Sequence, residues 1–139
     1  MTAAQQSSAA GLPVRPGEDP WTDAEVAEIR AELEDEAVAL RAEIGQAESE
    51  IADRIGDSVV AAGDDEADAS SKVAQREHDL ALTQNTRELL IQTEHALERI
   101  DAGTYGVCES CGKPIGKARL QAFPRATLCV QCKQKQERR

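Results

Sequence analysis

The chain has 139 residues and a formal net charge of −10, and its hydrophobic share of 40% includes only one Trp, one Tyr and one Phe. So few bulky side chains exclude a sandwich, a barrel or a large globular core, whereas the abundance of Ala, Glu, Leu and Arg favours long helices. No run approaches 18 apolar residues, and the start "MTAAQQSSAAGLPVRPGEDP" lacks the basic and apolar segments of a signal peptide, so a soluble cytoplasmic protein with no membrane partner is expected.

The charge is unevenly spread. Residues 17–68 carry eighteen acids against Arg30, Arg41 and Arg54, whereas residues 103–139 carry Glu109 and Glu137 against eight Lys and Arg. An acidic arm does not track a phosphate backbone, because binding DNA requires neutralised phosphates and released counterions. Specific DNA binding by the whole chain is therefore disfavoured.

In chain order, residues 1–20 are small, polar and proline-containing and read as a disordered tail. At "WTDAEV", Thr22 with Glu25 three residues later forms a capping box that opens a helix. Val26, Ile29, Leu33, Ala37, Leu40, Ile44, Ala47, Ile51 and Ile55 then recur at steps of 3 or 4, one narrow apolar stripe on a helix about 50 Å long at about 1.5 Å per residue. The stretch "GDSVVAAGDDEADASS" interrupts the pattern with Gly56 and Gly63 and predicts a turn, with an acidic tip at about 57–70.

A second helix is expected from about Asp68 or Ser70 to Ala102, with Val73, Leu80, Thr83, Leu90, Leu97 and Ile100 on its seam, joined there by Arg76, Arg87 and Glu94. Gly103 suits its C-cap. Each stripe needs the other for burial, which predicts an antiparallel coiled-coil hairpin over 21–102; an intermolecular bundle is the alternative. The tip then holds Asp64, Asp65, Glu66 and Asp68, four carboxylates that repel one another and exceed what a helix cap requires.

All four cysteines fall in "GVCESCGKPIGKARLQAFPRATLCVQCK", as Cys108-x2-Cys111 and Cys129-x2-Cys132 with 17 residues between the pairs. Two such knuckles at this separation match a tetrahedral zinc site, and four thiolates leave the metal no open position for water or substrate. One structural zinc is expected in a module covering 103–139, with a short basic C-terminal helix. A disulfide framework is the weaker reading in a reducing cytoplasm. His78 and His95 lie far from any nucleophile and read as solvated helical residues, and no phosphate loop, nucleophile elbow or paired-His motif occurs. An enzymatic activity of its own is not expected.

The stretch "IDAGTYGVCESCGKPIGKARLQAFPRATLCVQCK" closely resembles the zinc-finger signature of the DksA/TraR family of bacterial RNA polymerase regulators. The resemblance is specific over 101–133 and extends more loosely to the hairpin. It implies a mainly α fold, a long antiparallel coiled-coil hairpin followed by a four-cysteine zinc finger. It also implies a monomeric transcription regulator that inserts its coiled coil into the polymerase secondary channel and modulates initiation. Counted back without gaps from Cys108, the family's tip motif D-x-x-D-x-A falls on Asp65, Asp68 and Ser70, with serine in place of alanine; Asp64 and Glu66 are secondary tip acids.

Members of the family bind guanosine tetraphosphate through basic side chains. The corresponding positions here are Gln92 and Phe123, and only Lys133 is basic, which argues against that nucleotide because a polyphosphate needs charge-assisted contacts. Lys133 and Arg119 are the candidate docking or nucleotide contacts. Competing readings are a zinc-ribbon nucleic-acid binder using the basic C-terminal part, an acidic coiled-coil adaptor, and a stimulator of transcript cleavage resembling the Gre factors, whose acidic tip holds a second magnesium.

Overall fold

The computed structural model describes residues 11–60 and 66–138, without the side chains of 55–60 and 66–68. It contains α1 (Asp23–Val60), α2 (Glu66–Ala102), α3 (Lys117–Ala122) and α4 (Val130–Glu137). No strand occurs among the described residues; a single antiparallel bridge joins Val107 and Pro114. None of these helices is long and apolar enough to cross a membrane.

The capping box forms as its spacing dictates. Thr22 N–H donates to Glu25 Oε1 at 3.0 Å and Glu25 N–H donates to Thr22 Oγ1 at 3.1 Å, which satisfies two donors that a helix start leaves without partners. At the far end α1 runs through Gly56 to Val60, and α2 begins at Glu66, earlier than expected. Residues 57–60 and 66–70 of the turn expected over 57–70 are therefore helix, and 61–65, with Gly63, lie outside the described part. A lone helical glycine costs only about 1 kcal/mol, which its neighbours outweigh. α2 ends at Ala102, where Gly103 takes φ 77° and Thr104 N–H bonds to Arg99 O at 2.9 Å.

The chain divides into two compact units, one of residues 1–36 and 92–139, the other of 37–91. In the first unit Val26, Ile29 and Leu33 of α1 and Ala96 and Ile100 of α2 form a cluster with Leu12, Trp21, Tyr105, Cys108, Ile115 and Leu120. Burying a Leu or Ile side chain contributes about 1.5–3 kcal/mol, so this cluster is the main apolar asset of the fold. Arg30 pairs with Asp101 at 2.6 Å.

Residues 11–20, expected as part of a disordered tail, bring Leu12, 5% exposed, into the apolar cluster that also buries Trp21 and residues of the zinc module. Residues 1–10 lie outside the described part.

The second unit is a pairing of two helices. Arg54 pairs with Asp79 and Glu48 with Arg87, so the α1 number falls as the α2 number rises and the helices run antiparallel. The α1 stripe holds through Ile51, with Ala37 and Leu40 buried and Ile44, Ala47 and Ile51 half-buried, and the side chain of Ile55 lies outside the described part. The expected α2 seam holds at Thr83 and Ile100, which are buried, and at Arg76, Arg87, Leu90, Glu94 and Leu97, which are half-buried, but not at Val73 and Leu80. Val73 and Leu80 are about half exposed at 48% and 50%, and Asp79, which the expected line did not include, is half-buried beside Thr83, itself 3% exposed. Thr83 Oγ1 donates to Asp79 O at 2.9 Å, which satisfies its hydroxyl within its own helix.

Candidate metal centre

The cysteine module is built from short backbone contacts. Between Gly106 and Ile115 the chain doubles back: Ile115 N–H bonds to Gly106 O at 2.8 Å and Cys108 N–H to Lys113 O at 2.8 Å. Gly112 N–H then reaches Cys108 O at 2.9 Å, with Gly112 at φ 77°, a left-handed conformation that a side chain would strain. This turn holds Cys108 and Cys111 on one knuckle. Cys129 is the N-cap of α4 in extended conformation and Lys133 N–H bonds to its carbonyl at 2.9 Å, which sets Cys132 in the first turn. The two knuckles are joined by Glu109 N–H to Thr127 O at 2.9 Å. α3, which the periodicity did not reveal, spans the gap between them and buries Leu120.

The four Sγ atoms lie within 4.8 Å of one another, and Cys111 Sγ is 3.8 Å from Cys129 Sγ. A tetrahedron with zinc–sulfur bonds of about 2.3 Å has edges of about 3.8 Å, so the donor set fits one structural zinc held by Cys108, Cys111, Cys129 and Cys132. The electrostatics agree. Burial opposes ionisation of Cys108, but backbone N–H groups of Cys111, Cys129 and Ser110 overcome it and bring the thiol down to about 6. Backbone N–H from Cys132 likewise lowers Cys129. The neighbouring Cys129 pushes Cys132 up to about 12, as expected where several thiolates crowd together without a cation. Zinc supplies the charge that lets all four ionise.

Side chains from α2 and the N-terminal segment support this module, and the sequence pattern missed them. Arg99, 9% exposed, donates through Nη2 to Thr104 O at 2.8 Å and Val107 O at 2.6 Å, at the entrance to the first knuckle. His95, expected to be merely solvated, meets Glu109 of that knuckle, Nε2 to Oε2 at 2.6 Å. Burial raises the Tyr105 phenol, whose hydroxyl donates to Pro124 O at 2.9 Å. Glu18, whose carboxylate the N–H of Lys117 keeps below its usual 4.5, takes Lys117 N–H at 3.0 Å and Ala118 N–H at 3.2 Å. Nothing in the local spacing of a lone Arg or Glu announces a backbone partner far along the chain.

Gln92, Arg119, Phe123 and Lys133 come together on one open cleft of about 690 Å³, with Arg125 beside them. Its cations are partly engaged within the unit. Arg119 lies over the Phe123 ring at 5.7 Å and donates to Leu128 O at 3.3 Å, Arg125 pairs with Glu36, and Lys133 is 4.0 Å from Glu137. Of the expected tip residues, Asp64 and Asp65 lie outside the described part. Glu66 and Asp68 are in the first turn of α2 with side chains outside it, and Ser70 is exposed on α2.

The profile of the prokaryotic dksA/traR C4-type zinc finger matches residues 103–138. A Caulobacter vibrioides protein named RNA polymerase-binding transcription factor DksA is 41% identical over 75 residues, 54% of this chain and 53% of that one, so this match spans about half the relative's length. The protein of the same name from Escherichia coli K12 is 31% identical over 119 residues, 86% of this chain and 76% of its own. The solved structure of transcription factor DksA2 from Pseudomonas aeruginosa superposes with a TM-score of 0.68 at 36% identity, over 83% of this chain and 84% of that one. With the four-thiolate centre in place and the likeness extending along the helices on both sides of residues 61–65, the chain belongs to the DksA/TraR family.

Proposed function

We propose that the protein is a transcription regulator that binds RNA polymerase directly, inserting the acid-tipped coiled coil into the secondary channel to modulate initiation. The observation that carries this reading is the match over 86% of the chain to a relative named for polymerase binding. In this reading Asp65 and Asp68 meet the polymerase active centre, Asp64 and Glu66 add negative charge, and Ser70 replaces the motif alanine. The protein has no catalytic activity of its own, acts in the cytoplasm as a monomer, and uses Arg119 and Lys133 of the finger for docking.

One feature weighs against the nucleic-acid reading. A nucleic-acid interface needs free cations and stacking aromatics, yet Lys117 and Arg125 are paired with Glu25 and Glu36, and Phe123 already carries Arg119. Gln92 and Phe123 stand at the positions the family fills with basic residues, which supports a protein that does not respond to guanosine tetraphosphate.

The test is a photocrosslinker at Asp65. Labelling of the polymerase active centre is expected, and labelling confined to the outer surface of the enzyme would overturn the reading. Transcription assays with Asp65→Asn and Asp68→Asn should lose the effect on initiation. Magnesium-dependent cleavage of backtracked transcripts by the unsubstituted protein would favour the Gre-like reading instead.

A further inference from the structure

Residues 12–21 lie across the zinc module, and their contacts gather at the neck of the first knuckle. The neck is the pair of backbone stretches at Gly106 and Gly116, on either side of the bridged turn that carries Cys108 and Cys111. A Cβ at Gly116 would sit 3.0 Å from Arg15 Cδ, and one at Gly106 would sit 3.7 Å from Pro13 Cγ and Pro13 O. Both glycines have positive φ, 117° and 93°, so the neck combines a conformation reserved for glycine with close approach of the overlying segment.

The segment is fastened on both sides of this crossing. Leu12 and Trp21 are buried in the same apolar cluster as Cys108. Glu18 receives Lys117 N–H and Ala118 N–H just beyond Gly116, and also Arg15 N–H at 2.8 Å, so one carboxylate ties the segment to itself and to the module. Lys117 completes the clasp: its Nζ pairs with Glu25 at 2.7 Å, donates to Pro20 O at 3.4 Å and lies 5.6 Å over the Trp21 ring.

We propose that residues 12–21 are a retaining strap that sets how long zinc stays in the finger. A chelator must take the metal from all four thiolates, so Cys108 and Cys111 have to swing away from Cys129 and Cys132. The first knuckle hinges at the neck the strap covers, and its opening requires Pro13 and Arg15 to move off Gly106 and Gly116. The strap thereby slows metal exchange without touching a thiolate. It gives the N-terminal segment a role in metal retention separate from polymerase binding.

The test follows zinc transfer from the loaded full-length protein to excess 4-(2-pyridylazo)resorcinol. Glu18→Ala, which removes two module contacts and leaves the apolar cluster intact, should release zinc about tenfold faster, as loss of paired charge-assisted hydrogen bonds allows. Leu12→Ala should act in the same direction. Leu40→Ala, in the unit of residues 37–91, lowers stability away from the strap and should leave the release rate within about twofold. Unchanged release in Glu18→Ala overturns the proposal, and so does equal acceleration by Leu40→Ala, which would make general unfolding the route of zinc loss. If Leu12→Ala loses its helical circular dichroism, Glu18→Ala decides the matter alone.

Discussion

The two units solve the same problem, an aromatic-poor chain that must hold two long helices, by different means. The unit of residues 1–36 and 92–139 converges on a cluster with Trp21, Leu33, Ile100, Tyr105 and Leu120 and adds a four-thiolate metal centre. The unit of 37–91 buries Ala37, Leu40 and Thr83, packs otherwise through half-buried side chains, and carries cross-helix ion pairs such as Arg54 with Asp79 on its rim. A helix pair exposes most of its surface, so its seam need only be narrow and can include polar groups; a small knuckled module has too little apolar volume and needs a cross-link.

Chelation of zinc should break this comparison most severely. Structural zinc contributes on the order of 10 kcal/mol, so its removal should unfold 103–138 and shift the emission of Trp21, the sole tryptophan, while amides of 37–91 keep their protection from hydrogen exchange. Loss of protection in both units together would show that they are one cooperative body. Next in size, Leu33→Ala and Ile100→Ala, both fully buried, should each cost about 3 kcal/mol in denaturant unfolding followed at Trp21.

Arg99→Ala should cost about 2 kcal/mol, since the carbonyls of Thr104 and Val107 lose a charged donor; near-neutral behaviour would mean that water replaces the guanidinium. The strap supplies a pH-dependent contrast. Contact with Lys117 holds both Glu18 and Glu25 below 4.5, so their contribution is complete above that value and drains away as pH falls through the lowered folded values. The stability gap between the protein and Glu18→Gln, measured by denaturant titration, should therefore be widest near neutrality and close on acidification. A gap that widens in acid would contradict this sign. Smallest of all, Arg87→Ala removes a half-exposed pair with Glu48 and should change stability by less than about 0.5 kcal/mol; a larger loss would make the ion pairs of 37–91 more than surface decoration.

Much of this was legible in the sequence where the signal is local. The Thr22 and Glu25 capping box, the Gly103 cap and the α1 stripe all depend on contacts within a helix turn or on a single repeating face. The zinc centre was readable because each knuckle is a four-residue unit. The α2 seam was legible at Thr83, Leu90, Leu97 and Ile100 but not at Val73 and Leu80, which read as core and are about half exposed, while Asp79, absent from the expected line, is half-buried.

The amino-acid order by itself determined two long helices, a four-thiolate zinc module and membership of a family, since each is written in short-range spacing that no distant contact needs to confirm. Only the tertiary structure decided that residues 12–21 fold onto the finger, that Glu18 meets Lys117, and that Arg99 and His95 reach the first knuckle. Those partners are set by packing between segments remote in sequence, where burial and unsatisfied backbone donors select a side chain that carries no local mark.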